Sequence, residues 1–283
     1  MAQQIHWFPG HMNNALNEVE NKVKLVDVVI ELLDARAPLS SINENLEKLI
    51  QNKKKLIVLT KIDLADPEVT KEWINFFKQK YDSVLTLDLK KSGAENILSK
   101  AVINLGKDKW AKEKAKGMKP QPIRAMIIGI PNVGKSSLIN RLAKRKAAGV
   151  QNKPGFTRGE QWIKVNQDFL LLDTPGILPM SYENQKKAAN LALIGSIRED
   201  ILPNEVLGEA LLSYLRNQYP SALSSRFSIE EIGDRLVVLN QISEKRKLVD
   251  GTGQNDLKRS EALLLKEFKD GLLGQITLEK YGA

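Results

Sequence analysis

"GIPNVGKSSLIN", Gly129–Asn140, contains the spacing G-x-x-x-x-G-K-S. It follows the apolar run "IRAMIIG" (123–129) and leads into a segment with helical spacing from about Lys135. Strand, glycine loop, lysine, serine and helix in that order form a loop whose backbone N–H groups point at phosphate oxygens beside the positive end of a helix. The residues assigned to the phosphates are Asn132, Val133, Gly134, Lys135, Ser136 and Ser137. Lys135 reaches the β and γ phosphates, and the Ser136 hydroxyl is a ligand for Mg²⁺. The loop starts almost halfway along the 283 residues, which leaves the first 128 to be explained.

Working outward, apolar periodicity alternates between two kinds of element. "HMNNALNEVENKVKLV" has helical spacing, and "DVVIELLDA" (27–35) is a short continuous apolar run of the kind found in buried parallel strands. Helices are predicted at about 42–51, 68–80 and 94–105, and strands at 55–60 and 83–88. Downstream of the glycine loop, "EQWIKV" and "DFLLLD" read as two strands joined at "NQD". From about 184 the pattern is helical, with "RLVVL" ambiguous. Alternating strands and helices predict a doubly wound, mainly parallel sheet, followed by an all-α C-terminal domain. The predicted boundaries are 1–180, with an N-terminal helical extension, and 181–283.

Three further motifs surround the phosphate loop. "LLLDTPG" (170–176) sends Asp173 from the end of a strand toward the magnesium shell and offers the Gly176 N–H to a γ-phosphate. "KPGFTRG" lies between, and its Thr157 adds a hydroxyl to the metal when a triphosphate is present. "TKID" (60–63) resembles the N/T-K-x-D signature that reads guanine, in which Asp63 accepts from N1–H and the exocyclic amine while Lys61 lays its stem along the base. Thr60 stands where asparagine is commoner, which puts an amide's contacts to base and phosphate loop in doubt. A second base loop is predicted at "DLKKSG", with Asp88 and Leu89 at the base. Base reader, phosphate loop, switch I, switch II is a circular permutation of the usual GTPase order, and residues 106–122 become the link between the old ends. A doubly wound sheet allows this, because the site depends on which loops gather beyond the strand ends and not on their order.

Composition narrows the partners. There are 43 basic and 34 acidic residues and no cysteine, so disulfides, thiolate metal sites and thiol nucleophiles are excluded, and a reducing compartment fits. No apolar run approaches the ~18 residues of a membrane span, and the N-terminus lacks a signal-peptide pattern. A soluble cytoplasmic protein without a membrane partner is expected. The positive charge is concentrated: 107–158 carries 14 basic against 2 acidic residues. That stretch is either a solvated, lysine-rich linker and helix face or a surface for a polyanion, with nucleic acid the leading class.

"WFPGHM" (7–12), "LLDARAP" (32–38), "GQNDLKRSEALLLKEF" and "GLLGQITLE", together with the motifs above, resemble the circularly permuted GTPases of bacterial ribosome assembly, most closely the ribosome biogenesis GTPase A (YlqF) family. The resemblance implies a GTPase binding GTP and GDP that docks, as a monomer, to the immature large (50S) subunit and its rRNA late in assembly, with nucleotide state gating docking and release. It also implies that the C-terminal domain helps contact rRNA and that the subunit stimulates hydrolysis. Ile177 follows the switch II glycine where many GTPases carry a water-orienting glutamine, and the resemblance assigns that task to His11. The residues alone favour a structural place for His11 beside Trp7 and Phe8. Arg36 is a second candidate, or the member of a surface ion pair. Asn132 matches a K⁺ ligand of potassium-activated GTPases, or simply fits a tight turn. The rival function is an RNA-binding assembly scaffold that uses GTP mainly as a structural ligand.

Overall fold

The computed structural model describes residues 11–144, 162–172, 185–197, 202–229 and 233–282. Helix α1 (His11–Val23) precedes β1 (Val28–Asp34), α2 (Glu44–Ile50), β2 (Lys54–Thr60), α3 (Pro67–Lys80), β3 (Ser83–Thr86), α4 (Ala94–Ala115), β4 (Ile123–Gly129), α5 (Lys135–Lys144), β5 (Trp162–Lys164) and β6 (Phe169–Leu172). The sheet order is β3-β2-β1-β4-β6-β5. Every neighbouring pair is parallel except β5 with β6, the hairpin read from "EQWIKV" and "DFLLLD".

β1 lies between β2 and β4 and is buried along its whole length, which is why it reads as a continuous apolar run. Its side chains alternate between the two faces. Val28, Ile30 and Leu32 join a cluster with Leu98 and Val102 of α4 and Leu138 of α5, whereas Val29 packs with Val19 of α1 and Leu46 of α2. Leu33 meets Trp73 and Phe77 of α3. The Asp66 carboxylate caps α3 by accepting from Glu68 N and Val69 N, with Pro67 in the first turn; such a cap is worth about 1 kcal/mol.

Two local readings change. The lysine-rich connector is mostly helix, because α4 continues to Ala115. Trp110 Nε1 donates to Gln121 O at 2.8 Å, Lys109 Nζ meets Asp27 Oδ2 at 2.9 Å, and Glu113 accepts from Gln121 N at 2.8 Å. These side chains pin the second half of α4 to the residues just before β1 and β4, so only residues 116–122 are left to connect α4 with β4. "RLVVL" is also helical. Asp234 caps α9 (Arg235–Arg246) by accepting from Val237 N, and Val238, Leu239 and Ile242 are buried while Leu236 and Val237 are exposed, a helical spacing and not an alternating one.

Among the described residues the regular elements of the C-terminal part are all α-helices: α6 (Gln185–Leu193), α7 (Asn204–Gln218), α8 (Ser221–Phe227), α9 and α10 (Leu257–Lys269). Leu191, Leu211, Leu215, Leu264 and Phe268 continue the apolar cluster of the α4 face of the sheet. After α10 the chain returns over the first part. Ile276 N donates to Leu64 O at 3.0 Å, Leu278 N to Arg36 O at 2.7 Å, and Trp73 Nε1 to Glu279 O at 2.8 Å. The Glu279 carboxylate accepts from Leu39 N at 2.7 Å and Ser40 N at 3.0 Å. The "GLLGQITLE" segment therefore straps the loops at the ends of β1 and β2. Among the described residues, no helix is long and apolar enough to cross a membrane.

Candidate functional site

The predicted site residues gather at the carboxyl ends of parallel strands: Thr60 at the end of β2, Asp88 after β3, and Gly129 at the end of β4. β4, which carries the glycine loop, sits between β1 and β6, so the loop emerges mid-sheet where a doubly wound fold places its ligand. Gly129 has φ +149°, and a Cβ there would lie 2.8 Å from Leu32 O. Gly134 has φ +107°, and a Cβ would lie 2.9 Å from Leu89 Cδ1. The positive φ favours glycine at both positions; at Gly129 a backbone oxygen also leaves a side chain no room, whereas at Gly134 the neighbour is the tip of the flexible Leu89 side chain. Ser136 and Ser137 are exposed in the first turn of α5.

Thr60 is fully buried, and its Oγ1 donates to Val133 O at 2.7 Å, with Leu33 O also within 3.1 Å. The contact between base reader and phosphate loop, in doubt without an asparagine amide, is made by the hydroxyl. Asp63 Oδ2 pairs with Lys90 Nζ at 2.6 Å; hydrogen bonding to Asp63 and its charge hold the Lys90 ammonium above its ordinary value. Asp88 shapes the second loop by accepting from Lys90 N at 2.8 Å. Arg141 of α5 clamps the same loop, donating to Leu89 O and, at 2.6 Å, to Lys91 O. Lys90 lies within "DLKKSG" and Arg141 just past the glycine-loop motif, but neither shows a role in the sequence, because their partners lie 27 and about 50 residues away.

Arg36 does not form a surface pair. It is 2% exposed, and its fork meets both oxygens of the fully buried Asp34, Nε to Oδ1 at 3.0 Å and Nη2 to Oδ2 at 2.9 Å. Nη2 also reaches Ile194 O at 3.2 Å and Nη1 reaches Lys269 O at 3.4 Å. These carbonyls belong to the C-terminal ends of α6 and α10, where a cation is favoured. Lys61 Nζ shares Asp34 Oδ2 at 2.9 Å. Burial pushes the Asp34 carboxyl up, but the charges of Arg36 and Lys61 outweigh it and hold the group below its ordinary value.

Asn132 has φ +58°, a left-handed conformation that asparagine tolerates. Its Nδ2 donates to Gly195 O at 2.7 Å. Adjacent carbonyls just past α6, Ile194 and Gly195, thus accept from Arg36 after β1 and from Asn132 of the phosphate loop. With Nδ2 committed, Oδ1 is the atom of this amide that could ligate a cation. Switch residues Thr157, Asp173, Gly176 and Ile177 lie outside the described residues, as does the His11 side chain. The assigned magnesium donors, the hydroxyls of Ser136 and Thr157 and the Asp173 carboxylate, are the hard oxygens that Mg²⁺ takes, and the first turn of α5 itself carries no acidic residue.

Residues 124–218 match the family model described as 50S ribosome-binding GTPase. Over 276 residues the chain is 42% identical to the ribosome biogenesis GTPase A of Bacillus cereus, covering 97% of this chain and 93% of the relative. It is 30% identical to that of Thermotoga maritima, with 97% and 94% covered. The mouse protein named mitochondrial ribosome-associated GTPase 1 is 33% identical, with 97% and 90% covered. The GDP-bound structure of TM YlqF superposes with a TM-score of 0.67 at 26% identity, covering 94% of this chain and all of that one. The GNP-bound YlqF from T. maritima gives 0.65 at 25%, covering 94% and 98%. Relatives at 30–42% identity over nearly their full length show the family, and the chain belongs to the ribosome biogenesis GTPase A family, whose members are GTP hydrolases that act in ribosome assembly.

Proposed function

We propose that this GTPase docks to the immature 50S subunit late in bacterial assembly, in the cytoplasm and as a monomer, and that its nucleotide state gates docking and release. The observation that carries the reading is the Asn132 Nδ2–Gly195 O hydrogen bond. A phosphate-loop side chain held by the turn after α6 gives the loop around the γ-phosphate a direct purchase on the helical domain, beside the covalent link through switch II. A ligand shifts such an equilibrium only by its differential interaction with the two states, and a contact at the phosphates differs between GTP and GDP. In this reading Ser136, Thr157 and Asp173 hold Mg²⁺, Asn132 Oδ1 holds K⁺, and the metals supply positive charge to the phosphoryl oxygens. Lys61, Asp63, Asp88 and Leu89 face guanine, while the buried Thr60, assigned to the nucleotide from the sequence, ties their strand to the phosphate loop instead. His11 orients the attacking water in the place of a glutamine. The helical domain and the basic stretch meet rRNA.

Multiple-turnover hydrolysis with and without large-subunit particles, in K⁺ and in Na⁺, tests the reading. Stimulation by the particles and by K⁺ is the expected result. Ile177 favours one rival, because an aliphatic side chain cannot orient water. An RNA-binding scaffold with GTP as a structural ligand would show no stimulation while still binding the particles.

A further inference from the structure

β1 ends on a carboxylate that gathers more positive charge than it needs. Asp34 is fully buried. Its Oδ1 accepts from Arg36 N and Nε, both at 3.0 Å, and Oδ2 lies 2.9 Å from both Arg36 Nη2 and Lys61 Nζ. Arg36 alone would neutralise it with a two-pronged hydrogen bond. The second cation comes from the base-reader loop, and its backbone is unusual: Lys61 has φ +53°, a conformation that is strained for a non-glycine residue and persists where surroundings hold it. Anchored at its ammonium, the lysine becomes a fixed aliphatic strip, and its side chain is 25% exposed. An apolar stem with its charge already paired can take a flat ring against it without stripping water from the ammonium.

We propose that Asp34 is a positioning residue for nucleotide recognition, holding Lys61 by its ammonium so that the lysine stem is preset as the platform for the purine ring. The inference rests on the reading of Thr60–Asp63 as the base reader. A carboxylate buried only to pair with Arg36 would serve folding, and its loss would act independently of Lys61. A carboxylate acting through Lys61 would lose its effect on nucleotide binding once Lys61 is removed.

The test is a double-mutant cycle on the affinity for a fluorescent GDP analogue, using Asp34→Asn, Lys61→Ala and the pair in the full-length protein. Because Asp34→Asn leaves a buried guanidinium without its counter-ion, the cycle is repeated in an Arg36→Met background, where that charge is gone. Each single variant is expected to lower affinity about tenfold, and the pair no more than Lys61→Ala alone. Additive losses overturn the proposal and leave Asp34 a structural residue. Unchanged affinity in Lys61→Ala overturns it for a different reason, because the base-reader reading itself then fails.

Discussion

Thr60 Oγ1 sits 2.7 Å from Val133 O, so a single buried hydroxyl joins the end of the base-reader strand to the turn of the phosphate loop. An asparagine would span this gap with an amide; threonine, shorter and β-branched, does so from the last position of β2. Thr60→Val keeps the shape and deletes the donor. Losing a buried hydrogen bond of this kind costs roughly 1–3 kcal/mol, so GDP affinity is expected to drop about 5- to 150-fold, or the melting temperature to fall, in calorimetric titration and thermal scans. A variant indistinguishable from wild type in both would show that the two loops do not depend on this link.

Base choice follows from Asp63. Asp63→Asn turns one acceptor toward the guanine amine into a donor, so GTP affinity should fall and xanthosine triphosphate should become the better ligand. Competition binding with the two nucleotides checks it; unchanged GTP preference removes Asp63 from the base site.

Acid should loosen the junction between the sheet and the helical part. The Asp34 carboxyl titrates below its unfolded value of 3.8, so the stability it contributes is present above that value and is lost as pH falls through the folded value. Urea midpoints should therefore decline below about pH 4, and the decline should be shallower in Asp34→Asn/Arg36→Met. Identical acid profiles would place the pH sensitivity elsewhere.

Charge supplies a fourth expectation. Lys112 of α4 and Lys116, just past its end, are exposed, and Arg145 and Lys146 lie farther along the basic stretch. Neutralising either pair should reduce the slope of log K against log salt for large-subunit binding by on the order of one to two units. A slope that does not move marks those residues as solvated charge.

His11 is the most exposed expectation. His11→Ala should lower subunit-stimulated turnover by a factor on the order of 10²–10⁴, the scale of a positioned acid or base, with GTP and subunit affinity nearly unchanged. Ile177→Ala should be milder. Weak nucleotide binding or a lower melting temperature with stimulated turnover retained per bound GTP would make "WFPGHM" structural and place the catalytic group on the ribosome.

The residues alone determined what short-range rules govern. Continuous burial of β1, the left-handed and close-packed glycines of the phosphate loop, and the position of "TKID" at a strand end each depend on backbone conformation and periodicity within a dozen residues, and all are legible in order along the chain. The parallel sheet and its permuted connection follow from that order. Only the tertiary structure decided which distant groups complete the site. Thr60 finds its acceptor 73 residues away, Asn132 finds Gly195 63 residues away, and Arg36 reaches Ile194 and Lys269 across 158 and 233 residues. Nothing in local propensity specifies such partners. They are chosen by how the packed helices α6 and α10 present their last carbonyls to the end of β1, where a buried guanidinium must satisfy every donor it has. For the same reason "DARAP" could be read as a surface pair until the helices that bury it were in place.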